Sequence, residues 1–131
     1  VIDLEPGAHL SYWEAGKQLY VFNPLDPLAK EWLINSVELG GIPDDKDEFL
    51  FLFKNTYDYF LKKKNYQVLF NLYEKMQNIE PNEAKWYAQK ATAKYFMGDM
   101  EVALKDIKKA IELDESYRIE GEAFIKMIND Q

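Results

Sequence analysis

The stretch AKWYAQKATAKYFMGDMEVALKDIKKAIELDESY, residues 84–117, decides the fold. It holds two runs at helical spacing on either side of Gly98-Asp99, where glycine can take the left-handed backbone that ends one helix and aspartate can cap the next. In the second run Ala103, Ile107 and Ala110 recur at intervals of four and three, which places them on one helix face. The segment reads as helix over 84–97, a short turn, and helix over 100–113.

Moving outward, the chain repeats itself. A shift of 34 residues sets Asn65 over Asp99, Val68 over Val102, Lys75 over Lys109, Ile79 over Leu113 and Glu80 over Asp114. A fixed period of this size marks stacked supersecondary units. In 84–117, Gly98-Asp99, Ala103-x3-Ile107 and the string Ala110-Ile111-Glu112-Leu113-Asp114 resemble the second helix of the tetratricopeptide repeat (TPR) family. Tyr87 and Ala91 stand at that family's Trp and Gly positions, whereas Lys90 and Lys94 stand where it is usually apolar. Residues 50–83 carry Phe53, Phe60, Tyr73 and Pro81 at the Trp, Tyr, Phe and Pro positions, with Tyr57, Leu69 and Met76 at positions normally small. Residues 10–43 form a degenerate copy with Trp13, Tyr20, Ala29 and Leu33 in register and Gly16 where Leu belongs. The final helix continues as half a repeat, with Gly121, Phe124 and Ile128 at the Trp, Leu and Tyr positions.

The resemblance implies an all-α chain of antiparallel helix-turn-helix repeats, stacked as a short right-handed α-solenoid. The organisation expected over 1–131 is one domain: an irregular segment 1–9, repeats at 10–43, 50–83 and 84–117, an acidic insertion at 44–49, and a capping helix at 118–131. Each two-helix unit needs a neighbour to bury its apolar face, so about three units and a cap suffice.

Local signals agree. Asp26 before Pro27 is an N-cap followed by proline at the first helical position, and that helix should run to about Leu39, before Gly40-Gly41. The acidic run Asp44-Asp45-Lys46-Asp47-Glu48 faces the positive end of the next helix, and it lacks the glycine and distal glutamate of an EF-hand calcium loop. Phe49, Phe53, Tyr57 and Phe60 share one helix face and are the expected core. Lys62-Lys63-Lys64-Asn65 breaks that helix, the next covers 66–79, and a last one, 116–129, turns Tyr117, Gly121, Phe124 and Ile128 to one side.

Composition narrows function. The 131 residues carry a net charge of -7, no cysteine, one histidine, and 3 Trp, 9 Tyr and 8 Phe. With 47% hydrophobic residues the chain can bury a core. Absence of cysteine removes disulfides, thiolate zinc sites and thiol nucleophiles, and His9 alone cannot build a multi-histidine metal site. It fits both a reducing cytosol and an exported protein, and the start at Val1 reads as a processed product or an excised segment. No serine stands in a nucleophile-and-base arrangement, and acids such as Glu101, Asp106, Glu112 and Asp114 read as exposed, so no enzymatic activity and no cofactor is expected. Arg118 is the only arginine in an acidic chain, which argues against nucleic acid. The longest apolar run, Phe49-Leu50-Phe51-Leu52-Phe53, is far short of a bilayer span, so no membrane insertion is expected.

The resemblance also implies a binding surface. In TPR proteins the first helix of each repeat lines a concave groove. The matching residues here are Phe51, Lys54, Asp58, Leu61 and Lys62 in one repeat, and Lys85, Ala88, Thr92, Tyr95 and Phe96 in the next. Helical spacing places Phe51 opposite the expected core face, beside Lys54 and Asp58. Such a groove suits a peptide with apolar anchors and acidic residues. The alternative for Phe51 and Phe96 is packing against the 1–9 segment or a second copy. A branch of the family that grips a carboxylate uses Lys and Asn in one repeat and Lys and Arg in another; here Asp58 follows Lys54 and Gln89 follows Lys85, which leaves that clamp incomplete. The expected function is a non-catalytic protein-protein adaptor or scaffold. The alternatives are a homodimeric assembly module using the exposed aromatics and a Trp86/Ala93/Met97 stripe, or a small acidic chaperone for a secreted partner.

Overall fold

Seven α-helices and no strand occur among the described residues of the computed structural model, which describes residues 8–131 and their side chains from 12 onward. They are α1 (Ala8–Phe22), α2 (Pro27–Glu38), α3 (Lys46–Lys62), α4 (Tyr66–Ile79), α5 (Ala84–Phe96), α6 (Met100–Leu113) and α7 (Arg118–Asn129), with a 3-10 turn at Glu115–Tyr117 before α7. Of the segment expected to be irregular, Ala8 and His9 begin α1; residues 1–7 and the His9 side chain lie outside the described residues.

Short polar side chains set where helices begin. Asp26 accepts a hydrogen bond from the Leu28 N–H at 2.9 Å, with Pro27 in the first turn, and Asp45 accepts from the Glu48 N–H at 3.0 Å. Asn65 accepts from Val68 at 3.3 Å and Asp99 from Val102 at 3.2 Å. Each cap satisfies a backbone donor left over by helix geometry and is worth about 1 kcal/mol. The 44–49 stretch divides accordingly: Asp45 caps, residues 46–49 are already helical, and Asp47 and Glu48 sit in the first turn, where the helix dipole favours negative charge.

Contacts divide the chain into two compact units, the first ending at Lys63 and the second Lys64–Gln131. In the first, α1 packs along α2, and α2 against α3. Trp13, Ala29, Leu33, Val37, Phe49, Leu52 and Phe60 are among its buried side chains. The buried face of α3 is rotated from the expected one. Phe49, Leu52, Thr56 and Phe60 are fully buried, whereas Phe53 and Tyr57 are half-buried and stack on each other with centroids 5.1 Å apart. The small Thr56 occupies the buried position because its hydroxyl donates to the Leu52 carbonyl at 2.7 Å, so no polar group is stranded.

In the second unit α5 packs between α4 and α6, and α7 packs on α6. α4 and α6 are both 14 residues long and offset by 34 positions, an offset shared by their caps Asn65 and Asp99 and by the first residues of α5 and α7. The preceding turn residues keep it too: Gly98 has φ +84° and Lys64 φ +56°, both left-handed. Ala84, Ala91, Ile107 and Ala110 form one core cluster of this unit, with Tyr87, Ala88, Leu113, Tyr117, Phe124 and Ile125 packed around it, while Leu69, Leu72 and Met76 are buried on α4. Three alanines let the helix axes approach closely. α7 buries Gly121 and Ile128; a β-carbon on Gly121 would fall 2.6 Å from Ile111 Cδ1. No helix among the described residues is long and apolar enough to cross a membrane.

Candidate functional site

The ten residues expected to line a groove fall five on each unit. On α3, Lys54, Asp58, Leu61 and Lys62 are exposed along one stripe. Phe51 differs: it is half-buried, its ring edge-on to Tyr20 at 4.8 Å and to Trp13 at 6.0 Å. Phe51, expected opposite the core face, is partly covered by these two rings, which α1 supplies. These are neither the 1–9 segment nor a second copy. Lys17 reinforces the contact, its Nζ lying 5.2 Å from the Trp13 centroid and 3.4 Å from Glu48 Oε1.

On α5, Lys85, Thr92 and Phe96 are exposed. The Thr92 hydroxyl donates to the Ala88 carbonyl at 3.1 Å, and Ala88 itself packs against the core, so it lies at the base of this face. Phe96 keeps 57% of its surface in solvent although its ring stacks on Tyr66 at 5.0 Å and 16°. Tyr95 is half-buried, meets Phe96 edge-on at 5.4 Å and Phe124 at 5.6 Å, and accepts a hydrogen bond on its hydroxyl from Gln131 Nε2 at 2.8 Å. The result is an aromatic ridge whose inner members hold the outer ring in place.

The opposite side of α5 explains the two lysines at apolar positions. Lys90 is buried; its Nζ donates to Gln77 Oε1, lies 3.8 Å from Asp106 Oδ1, and sits 5.3 and 5.4 Å from the Phe70 and Tyr87 centroids. Lys94 Nζ lies 4.3 Å from the Phe70 centroid and 3.8 Å from Asp99 Oδ2. Ring faces carry partial negative charge, so each aliphatic stem can be buried while the ammonium keeps partners. Asp106, expected on an exposed face, is buried at 6% exposure. Burial pushes its carboxyl above the ordinary value; Lys90, Lys105 and Lys94 pull it back, and Glu74 adds to the rise. Sequence reasoning missed this pair, and its one signal was the presence of lysines where the repeat pattern is apolar.

Trp86 and Ala93, expected on a self-association stripe, are buried. Trp86 Nε1 donates to Glu80 Oε1 at 3.1 Å and its ring stacks with Tyr73 at 6.4 Å, so they belong to the packing of α5 on α4. Among the described residues no group of acidic or histidine side chains is placed to hold a metal ion. No protein-family model matches this chain, and comparison with the curated proteins finds no relative.

Proposed function

We propose that the chain is a non-catalytic, TPR-like interaction module that binds a peptide or protein segment on the open side of α5. One observation carries the reading: Phe96 is a large aromatic ring held on a stacked platform yet more than half exposed, on the face of α5 that also carries Thr92 one turn earlier and Lys85 about three turns earlier. Prepositioned aromatic side chains are the usual anchors of protein interfaces. The 34-residue offset of caps and helix limits within the second unit supports the repeat assignment, and with it the solenoid stacking of such repeats. Lys85, about three turns from Phe96, favours a segment that lies along α5 and carries an acidic residue at some distance from its apolar anchor. The exposed α3 residues Lys54, Asp58, Leu61 and Lys62 are proposed to serve the first unit in the same way, without Phe51.

The test is capture from the source cell with the parent chain and with Phe96→Ala, after both show the same circular dichroism. A partner held by the parent and lost by the variant supports the reading, and identical capture by both overturns it. Self-association is the second reading, favoured by Ile119, Ala123 and Met127, which form an exposed stripe at four-residue intervals on α7, Ile119 at 85% exposure. Light scattering over a concentration series separates the two: a monomer with a free α5 face excludes the assembly module.

A further inference from the structure

α1 ends and α2 begins in a corner whose apolar side chains face solvent. Phe22 is 88% and Leu25 90% exposed, and Val21 and Leu28 are exposed with them. Single apolar residues on a surface are common, but four within one short segment make a patch of the kind that marks an interaction site. The corner is also held in one conformation. Pro24 and Pro27 fix the backbone, the Asn23 carbonyl accepts from the Asp26 N–H at 3.1 Å, and Asn23 Oδ1 accepts from the Leu25 N–H at 3.2 Å. A segment fixed in this way loses little entropy when it docks.

Charge narrows what can cover it. Asp26 is the only charged residue between Gln18 and Ala29, and it forms no ion pair among the described residues. Two corners set against each other bring like charges together. Beside the α7 stripe of Ile119 and Met127 stand Glu120, Glu122 and Asp130 against Lys126, since Arg118 is already taken by Glu115 and Glu122. The α5 face differs in sign. Every charged residue of α5 is a lysine, and Lys85 pairs with no carboxylate among the described residues, its ammonium lying 5.0 Å from the Trp86 ring centroid. Lys85 stands about three turns from Phe96, so its attraction acts along the helix and orients an acidic segment whose rings rest at the Phe96 end. Phe22 and Phe96 are both mostly in solvent within one chain, so a contact between them joins separate copies.

We propose that the α1–α2 corner of one copy docks on the α5 face of another, with Phe22 and Leu25 packed on Phe96 and Asp26 oriented toward Lys85. The proposal rests on the reading of the α5 face as a binding surface and names a second copy as its occupant. Because the two surfaces differ, the contact is head-to-tail and can repeat: a copy that has docked its corner still offers its own α5 face. Four apolar side chains meeting one ring bury far less than the about 800 Å² per partner of a stable complex, so the association is weak, with a Kd on the order of 100 μM.

The experiment is analytical ultracentrifugation from about 10 μM to about 1 mM, a range that brackets this constant. It compares the parent, a corner variant Phe22→Ser/Leu25→Ser and a face variant Phe96→Ala; all three altered side chains are exposed, and circular dichroism checks the fold. The average mass of the parent should climb past that of a dimer, while each variant alone stays monomeric. An equimolar mixture of the two variants should form a dimer and stop there, because the intact face of one meets the intact corner of the other. Asp26→Ser keeps the cap, removes the charge and should weaken association about threefold at low salt. A parent that stays monomeric or levels at a dimer, a corner variant that associates like the parent, a mixture that remains monomeric, or an Asp26→Ser chain that associates as tightly as the parent overturns the proposal. The corner variant keeps the α5 face, so a partner that it captures and Phe96→Ala loses leaves the reading of that face standing where this proposal falls.

Discussion

A β-carbon on Gly16 would lie 2.9 Å from Leu33 Cδ2 and 3.1 Å from the Leu33 backbone nitrogen, so α1 and α2 meet at a point with no room for a methyl group. Because one of the crowded atoms is backbone, a rotamer change cannot relieve the clash. Gly16→Ala gains up to about 1 kcal/mol in helix propensity and loses about 1–3 kcal/mol to overpacking. A net destabilisation of roughly 1 kcal/mol is expected from the urea midpoint. A variant as stable as the parent would mean that the two helices do not approach this closely.

Phe51 and Phe96 should respond unequally. Phe51→Ala strips a ring from Trp13 and Tyr20 and should cost about 2 kcal/mol of stability. Phe96→Ala removes a ring that is mostly in solvent and should cost less than about 1 kcal/mol. Thermal unfolding of the two variants gives the comparison, and an equal loss from both would contradict the packing described.

Breaking the Lys90–Asp106 pair from one side should be worse than replacing it. Lys90→Met leaves Asp106 buried beside no ammonium of its own and should destabilise by about 3 kcal/mol. Adding Asp106→Leu removes the stranded charge and should recover much of that loss. A double-mutant cycle by chemical denaturation measures the coupling, and strictly additive losses would show that the two groups do not interact.

Acidity should act through Asp106 in a direction unusual for a carboxylate. Its folded-state value is raised, so the folded chain holds the proton more tightly than the unfolded chain. The contribution of this group to stability is therefore full below the ordinary carboxylate range and declines as pH rises through the raised value. Compared with Asp106→Asn, the parent should be relatively most stable near about pH 3 and relatively least near about pH 7. Paired urea titrations across that range give the slope, and a gap that widens in favour of the parent with rising pH would sink the assignment.

Helix limits were legible because local chemistry fixes them. Asp26-Pro27, Asn65 and Gly98-Asp99 act within a turn of where they stand, and the observed boundaries follow them. What a helix faces was less legible, since it depends on neighbours distant in sequence. Phe51 lies opposite the face that spacing marks as core, yet Trp13 and Tyr20 come from α1 to cover it. On α3 the roles of Phe53 and Thr56 differ from expectation because an aromatic stack competes with burial for the former and a local hydrogen bond frees the latter. Lys90 and Asp106 sit 16 residues apart on different helices, and only their packing shows that each makes the other's burial tolerable.

Within each unit the most extensive helix packing among the described residues joins elements adjacent along the chain, although single rings such as Phe51 on α3 and Tyr95 on α5 also reach α1 and α7. No distant strand must be found and no long loop closed before packing begins to reward the search. Chains built this way fold on the microsecond-to-millisecond scale, and an emerging hairpin can settle before the residues after it have been made. In the second unit α4 and α5 form such a hairpin, α6 comes to lie against α5, and α7 closes on α6, so the order of synthesis is also a workable order of assembly.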